Sequence, residues 1–211
     1  MKERPIPFKG EMVRAILNGQ KTQTRRILKK PQPLDVLPMK IPNLWVALTE
    51  RNPQPEGNHG KVIHCKYGIP GDRLWVKETW ANAPRNQYIY RANYIPRDFG
   101  SGDFGSDVLD IKTGDTVPLV WKSSRFMPKL ASRITLEIVN VRVERVQEIS
   151  EEDAEAEGIH LLGLPEAERH NHPRKHIVAF HTLWDVINAK RGDGWDVNPW
   201  VWVIEFKRMM K

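Results

Sequence analysis

The stretch Ile134-Thr-Leu-Glu-Ile-Val-Asn-Val-Arg-Val-Glu-Arg-Val-Gln-Glu-Ile149 decides the fold class. Ile134, Leu136 and Ile138 alternate with polar residues, as on a strand with one buried face. The apolar set then moves to Val139, Val141 and Val143, so the buried face changes partway along. A bulge near Val139 accounts for the change, because one extra residue reverses the alternation.

Downstream, Ser150-Glu-Glu-Asp153 starts a helix with a hydroxyl cap and three acids in its first turn, and Gly158 ends it. Residues 176–189 place Ile177, Phe180, Trp184 and Ile187 on one helical face. Trp200 to Phe206 alternates as a closing strand. Upstream, Lys61 to Lys66 and Arg73 to Trp80 read as strands joined by a turn at Pro70-Gly71-Asp72. In the second, Leu74, Val76, Glu78 and Trp80 share a face; Glu78 is therefore an inward carboxylate needing a partner, with Arg26 or Lys21 as the natural choice. Gln87–Asn93 and Thr116–Trp121 are further strands, with a Gly-, Ser- and Asp-rich loop between them at 98–114.

Near the N-terminus, Met12, Val13, Ile16 and Leu17 have helical spacing, and Asn18-Gly19 stops that helix. Pro31, Pro33, Pro38, Pro42, Pro53 and Pro55 exclude regular structure over most of 31–60. The whole predicts an α+β fold: a single domain over 1–211, built as a small twisted β-barrel of five to six strands with short peripheral helices. Insertions are expected at about 31–60, 95–130 and 160–175.

Charge is concentrated at one end. Residues 1–30 hold nine Lys/Arg against Glu3 and Glu11, a surplus equal to the net charge of +7 for all 211 residues. At its centre lies Gly19-Gln-Lys-Thr-Gln-Thr-Arg-Arg26, which sets a lysine, two hydroxyls and two guanidiniums beyond a helix end. Such a cluster suits an anionic or polar ligand, and a basic balance favours nucleic acid or phosphate over a membrane. The sequence contains no apolar run of signal or membrane-spanning length, which points to a cytoplasmic protein. Cys65 is the single cysteine, so neither an internal disulfide nor a Cys-rich zinc site is expected. His172 and His176 lie four apart, but Pro173 between them keeps them off one helical face, and no metal site is expected. Of the eight tryptophans, Trp45, Trp75, Trp80 and Trp195 are the ones free to stack on a base.

The Gly19–Arg26 segment, the Pro70-Gly71-Asp72 turn leading to Glu78, and the closing Trp202-Val-Ile-Glu-Phe206 together resemble the ASCH domain, a PUA-like β-barrel, in a long form similar to those of bacteriophages and prophages. Lys21, Thr22, Thr24 and Arg26 match the Gly-x-Lys-Thr-x-Thr-x-Arg signature of the N(4)-acetylcytidine amidohydrolases in that superfamily. The segment Ile149 to Glu157 is similar to their acidic helix, with Glu157 at the catalytic glutamate. The resemblance implies a catalytic set of Lys21, Thr24 and Glu157 that hydrolyses an acyl amide on cytidine without a cofactor. Thr22, Arg25, Arg26, Glu78 and Trp75 would then contact substrate or RNA.

Such hydrolysis needs a nucleophile, a proton acceptor and positive charge near the carbonyl oxygen. Thr24 supplies a hydroxyl or positions a water, Glu157 accepts the proton, and Lys21 stabilises the oxyanion or lowers the pKa of the hydroxyl. Because Lys21 alternates with Thr22, Thr24 and Arg26 on a strand, it must sit in the turn after Gly19 to swing towards Thr24. The partner is RNA or a modified nucleoside, and the chain is expected to be monomeric. Two other readings of the same cluster are a non-catalytic single-stranded RNA-binding module and a metal-independent ribonuclease.

Overall fold

The structure is a computed structural model that describes residues 1–28, 32–39, 42–48, 61–83, 87–94, 107–109, 116–159 and 173–209. In chain order the first strands are β1 (Glu3–Pro7), β2 (Gln23–Ile27), β3 (Asp35–Pro38), β4 (Trp45–Leu48), β5 (Lys61–Ile63) and β6 (Arg73–Lys77). They are followed by β7 (Trp80–Ala83), β8 (Gln87–Tyr90), β9 (Asp107–Leu109), β10 (Thr116–Pro118), β11 (Thr135–Arg145) and β12 (Trp200–Met209). The helices are α1 (Gly10–Leu17), α2 (Glu151–Ala156) and α3 (Lys175–Asn188).

The long alternating stretch forms β11 and pairs antiparallel with β12 along nearly its whole length. Ile138 opposes Phe206 and Asn140 opposes Glu205, which leaves Val139 without an opposite number at the expected bulge. Val139 is accordingly exposed while Ile138 and Val141 are buried. The Pro70–Asp72 turn docks beside this bulge, with Gly71 N donating to the Ile138 carbonyl and Ile138 N to that of Asp72.

The main sheet has the order β1-β6-β11-β12-β2 and is mixed, with β1 parallel to β6. It is an open sheet rather than the closed barrel expected from the strand count. Proline explains one free edge. Phe8 N donates to the Lys77 carbonyl and the Lys2 carbonyl accepts from Arg73 N, so the even-numbered residues of this segment bond to β6. Pro5 and Pro7 occupy the odd positions, where a further strand would need N–H donors that proline lacks. Instead, the Arg26 guanidinium crosses from edge strand β2 and donates to the Pro7 carbonyl at 2.7 Å.

Both faces of β12 are buried. Trp200, Trp202, Ile204 and Phe206 join a core with Ile6, Val13, Ile16, Leu74 and Leu136 beneath α1. Val201 and Val203 face a second core with Val146, Ile149, Phe180 and Trp184, which α2 and α3 cover. This arrangement matters for the site because β2 pairs with β12 and lies between the two cores.

The proline-rich segment departs from expectation. β3 and β4 form an antiparallel pair, extended by β5. Pro38 ends β3 opposite Trp45, a terminal position where a missing N–H is tolerated, and Trp45 packs edge-on against Trp202 at 5.0 Å. The rest of that segment (31, 40–41 and 49–60), most of the 98–114 loop, and His160, His170 and His172 lie outside the described residues. The strand expected over Arg73–Trp80 is divided: β6 ends at Lys77, and Trp80 opens β7, a hairpin strand paired with β8.

Candidate functional site

The site forms where the start of β2 meets the end of α2. Glu151, Glu152 and Asp153 occupy the first turn of α2, the Ser150 hydroxyl accepts from Asp153 N, and Glu157 is the C-cap residue. Gly158 then turns the chain with φ of +70°, and a Cβ there would lie 2.6 Å from the Lys21 Cβ and 2.9 Å from that of Ala15. Only glycine permits this approach. Thr22 N donates to the Ala156 carbonyl, and Lys21 and Glu157 form a backbone bridge.

Lys21 does not swing towards Thr24 from a turn, as the alternation suggested. Its ammonium is wholly buried and donates to Glu157 Oε2 at 2.6 Å and to the Glu157 carbonyl at 2.8 Å. Burial pushes the Lys21 pKa down from the usual lysine range, with Glu157 opposing the shift. Lys21 is absent from the lining of the adjacent cavity, so its direct partner is the glutamate, not a ligand.

Arg25 is equally sealed and meets three acids. It donates to Glu144 at 2.5 Å, to Asp153 at 2.9 Å and to Glu157 at 3.3 Å, and its guanidinium lies 5.7 Å from the Phe180 ring centre. Gln23 reaches the Asp153 carbonyl from the same strand face. Arg142 adds contacts to Glu144, Asp153 and Glu205. Burial opposes the Asp153 charge, but Arg142 and Arg25 more than offset it and hold its carboxyl below the usual range. Glu157 is thus gripped on one oxygen by Lys21 and on the other by Arg25.

A cavity of about 240 Å³ opens along the free edge of β2 and draws side chains from both faces of that strand. Thr24, Arg25, Arg26 and Glu157 contribute polar groups, Phe180 and Trp184 of α3 an apolar wall, and Lys66 and Tyr67 another side. Thr24 is buried and lies opposite Ile204. Arg26 lies 5.0 Å from the Phe8 ring centre. Burial disfavours its charge, and Tyr67 and Glu157 act in the opposite direction.

The expected site residues therefore divide into groups. Thr24, Arg25, Arg26 and Glu157 share the cavity, Lys21 sits behind Glu157, and Thr22 is exposed. Glu78 and Trp75 are not in its lining. Glu78 is buried, as the strand pattern required, but its partner is Arg133, which binds both carboxylate oxygens at 2.9 Å, and not Arg26 or Lys21. Trp75 is half-buried with the Lys77 ammonium 5.5 Å from its ring centre. Among the other tryptophans expected to be free, Trp45 and Trp80 are buried, and Trp195 is half-buried with its ring stacked on His181. His176 binds Glu151. Among the described residues, no group of three or more His, Cys, Asp or Glu side chains is arranged to hold a metal ion.

Sequence reasoning missed Glu144 and Arg142 as parts of the ion-pair network, and Lys66, Tyr67 and Asn188 as cavity walls. No local spacing marks them, because the fold brings them together across long separations. No helix among the described residues is long and apolar enough to cross a membrane. No protein-family model matches the chain, nor does any curated protein or solved structure.

Proposed function

We propose that this chain is an ASCH-type protein, its open sheet corresponding to the PUA-like barrel, and that it hydrolyses an acyl amide on the exocyclic amine of cytidine. The observation that carries this reading is the Glu157 carboxylate, which shares the cavity with Thr24 and is held by Lys21 at 2.6 Å. Such a carboxylate has a fixed orientation, as a general base requires. Phe180, Trp184 and Tyr67 supply aromatic surface for a base, and the volume of about 240 Å³ suits one nucleoside better than a strand.

In this mechanism a water held by Thr24 adds through its oxygen to the acyl carbonyl carbon while Glu157 takes its proton. Arg25, whose guanidinium borders Glu157 at 3.3 Å, presents positive charge where the carbonyl oxygen becomes anionic. Collapse breaks the carbon–nitrogen bond, Glu157 returns the proton to the departing amine, and cytidine and a carboxylate are released. Lys21 is a positioning residue: it orients Glu157 from behind. The test is release of cytidine from N(4)-acetylcytidine by purified, folded protein, followed by chromatography; absence of cytidine sinks the proposal.

The RNA-binding reading uses Lys21 and Arg25 as phosphate contacts, and the ribonuclease reading uses Lys21 and Arg26. Lys21, which both readings need, and Arg25 are already buried against carboxylates, which favours the nucleoside reading over those two.

A further inference from the structure

The charges of the cavity exceed what a neutral nucleoside needs. Among the described residues its lining includes the cations Arg25, Arg26 and Lys66 but a single carboxylate, Glu157, which Lys21 and Arg25 already hold. Arg25 is further occupied by Glu144 and Asp153. Among the described residues Arg26 has one acceptor, the Pro7 carbonyl, and its Nε is buried with no hydrogen-bond partner. Buried donors of this kind are nearly always paired, so one left open beside a cavity is placed to take an acceptor from a ligand. Lys66 is exposed on the same cavity, its ammonium 5.0 Å from the Tyr67 ring centre. The Tyr67 ring is half-buried and lines the same cavity.

We infer that the ligand is a phosphorylated cytidine, a nucleoside 5′-monophosphate, whose phosphate is taken by Lys66 and Arg26 while the acylated base occupies the Thr24–Glu157 end. This rests on the amidohydrolase reading for the base but not for the phosphate. A planar guanidinium and a mobile ammonium suit a phosphate better than a hydroxyl, since both give charge-assisted hydrogen bonds. The small volume favours a free mononucleotide over an internal strand position, where phosphates leave in two directions.

The experiment is equilibrium binding of cytidine, cytidine 5′-monophosphate and a short cytidine-containing oligoribonucleotide to the intact chain, with Lys66→Ala in parallel. The monophosphate is expected to bind at least tenfold more tightly than cytidine, with the advantage shrinking as salt is raised. Lys66→Ala, at an exposed position that leaves the fold intact, is expected to reduce that ratio at least threefold. Equal affinities for cytidine and its monophosphate, no detectable monophosphate binding, or a ratio indifferent to Lys66→Ala overturns the inference. Tighter binding of the oligonucleotide than of the monophosphate also overturns it, in favour of a strand. Acyl hydrolysis is scored separately on N(4)-acetylcytidine. Monophosphate preference without hydrolysis removes the reaction and keeps the phosphate site; hydrolysis without preference does the reverse.

Discussion

Replacing Lys21 with methionine keeps the length and volume of the side chain but deletes the ammonium that donates to Glu157 at 2.6 and 2.8 Å. The side chain of Lys21 is 0% exposed and that of Glu157 6%, so solvent cannot stand in for the lost partner. Removing one member of a buried ion pair typically costs about 3–5 kcal/mol, because the other charge is left uncompensated. Arg25 still reaches the second carboxylate oxygen at 3.3 Å, which places Lys21→Met at the lower end, about 3 kcal/mol. With a urea slope of about 2 kcal/mol/M the unfolding midpoint falls by about 1.5 M, readable by tryptophan fluorescence. The double variant Lys21→Met/Glu157→Leu removes the stranded charge and is expected to recover at least half of the loss, about 1.5 kcal/mol. A single variant within about 0.5 kcal/mol of the parent, or a double variant no better than the single, refutes the reasoning that Lys21 exists to hold Glu157.

Arg133→Ala strands the buried Glu78 carboxylate and is expected to cost about 2–3 kcal/mol in the same assay, whereas Lys77→Ala, on an exposed contact, stays within about 0.5 kcal/mol. Gly158→Ala combines a positive φ with a Cβ placed 2.6 Å from Lys21 Cβ; stability is expected to fall by about 2 kcal/mol or more, and an unchanged midpoint means that α2 and Lys21 are not so close. Along β11, Leu136→Ala should destabilise by about 2–5 kcal/mol and Val139→Thr by less than about 0.5 kcal/mol, and similar losses at both positions contradict the bulge. For pH, burial opposes the charges of Asp72, Glu151 and Asp153, but their hydrogen bonds and cations hold all three below the usual carboxylate range. Between those depressed values and the unfolded range of about 4 the unfolded chain binds more protons, so stability is full above that range and is lost as pH falls through it. Thermal unfolding by circular dichroism is expected to be flat from pH 7 to about 5 and to drop below about 4, and a melting temperature unchanged down to about pH 2.5 contradicts these pairings.

Several parts of the fold are written in local pattern. The shift of apolar residues from Ile138 to Val139 locates the bulge, and the caps at Ser150 and Gly158 bound α2. Closure was not legible, because it turns on which way the N–H groups of β1 point, and only the pairing with β6 shows that Pro5 and Pro7 face outwards. The β3–β4 pair was hidden by prolines that sit at strand ends or outside the strands. In the site, the juxtaposition of Glu157 with the Lys21–Arg26 segment was anticipated through family resemblance. The burial of Lys21 was not, since strand alternation says nothing about a helix end packing over the first residue. Arg25 looked like a surface cation suited to RNA; its partners Glu144 and Asp153 lie more than 100 residues away, beyond the reach of any local spacing.

The central claim is that Glu157 and Thr24 act on one substrate in the cavity along β2. Its most direct test is the rate of cytidine release from N(4)-acetylcytidine by the parent chain, Glu157→Gln and Thr24→Val, each confirmed as folded by circular dichroism. The expected result is steady release by the parent and at least a hundredfold slower release by both variants, in line with loss of a general base or of the group that positions the nucleophile. Release by Glu157→Gln at the parent rate, or none by the parent, contradicts it.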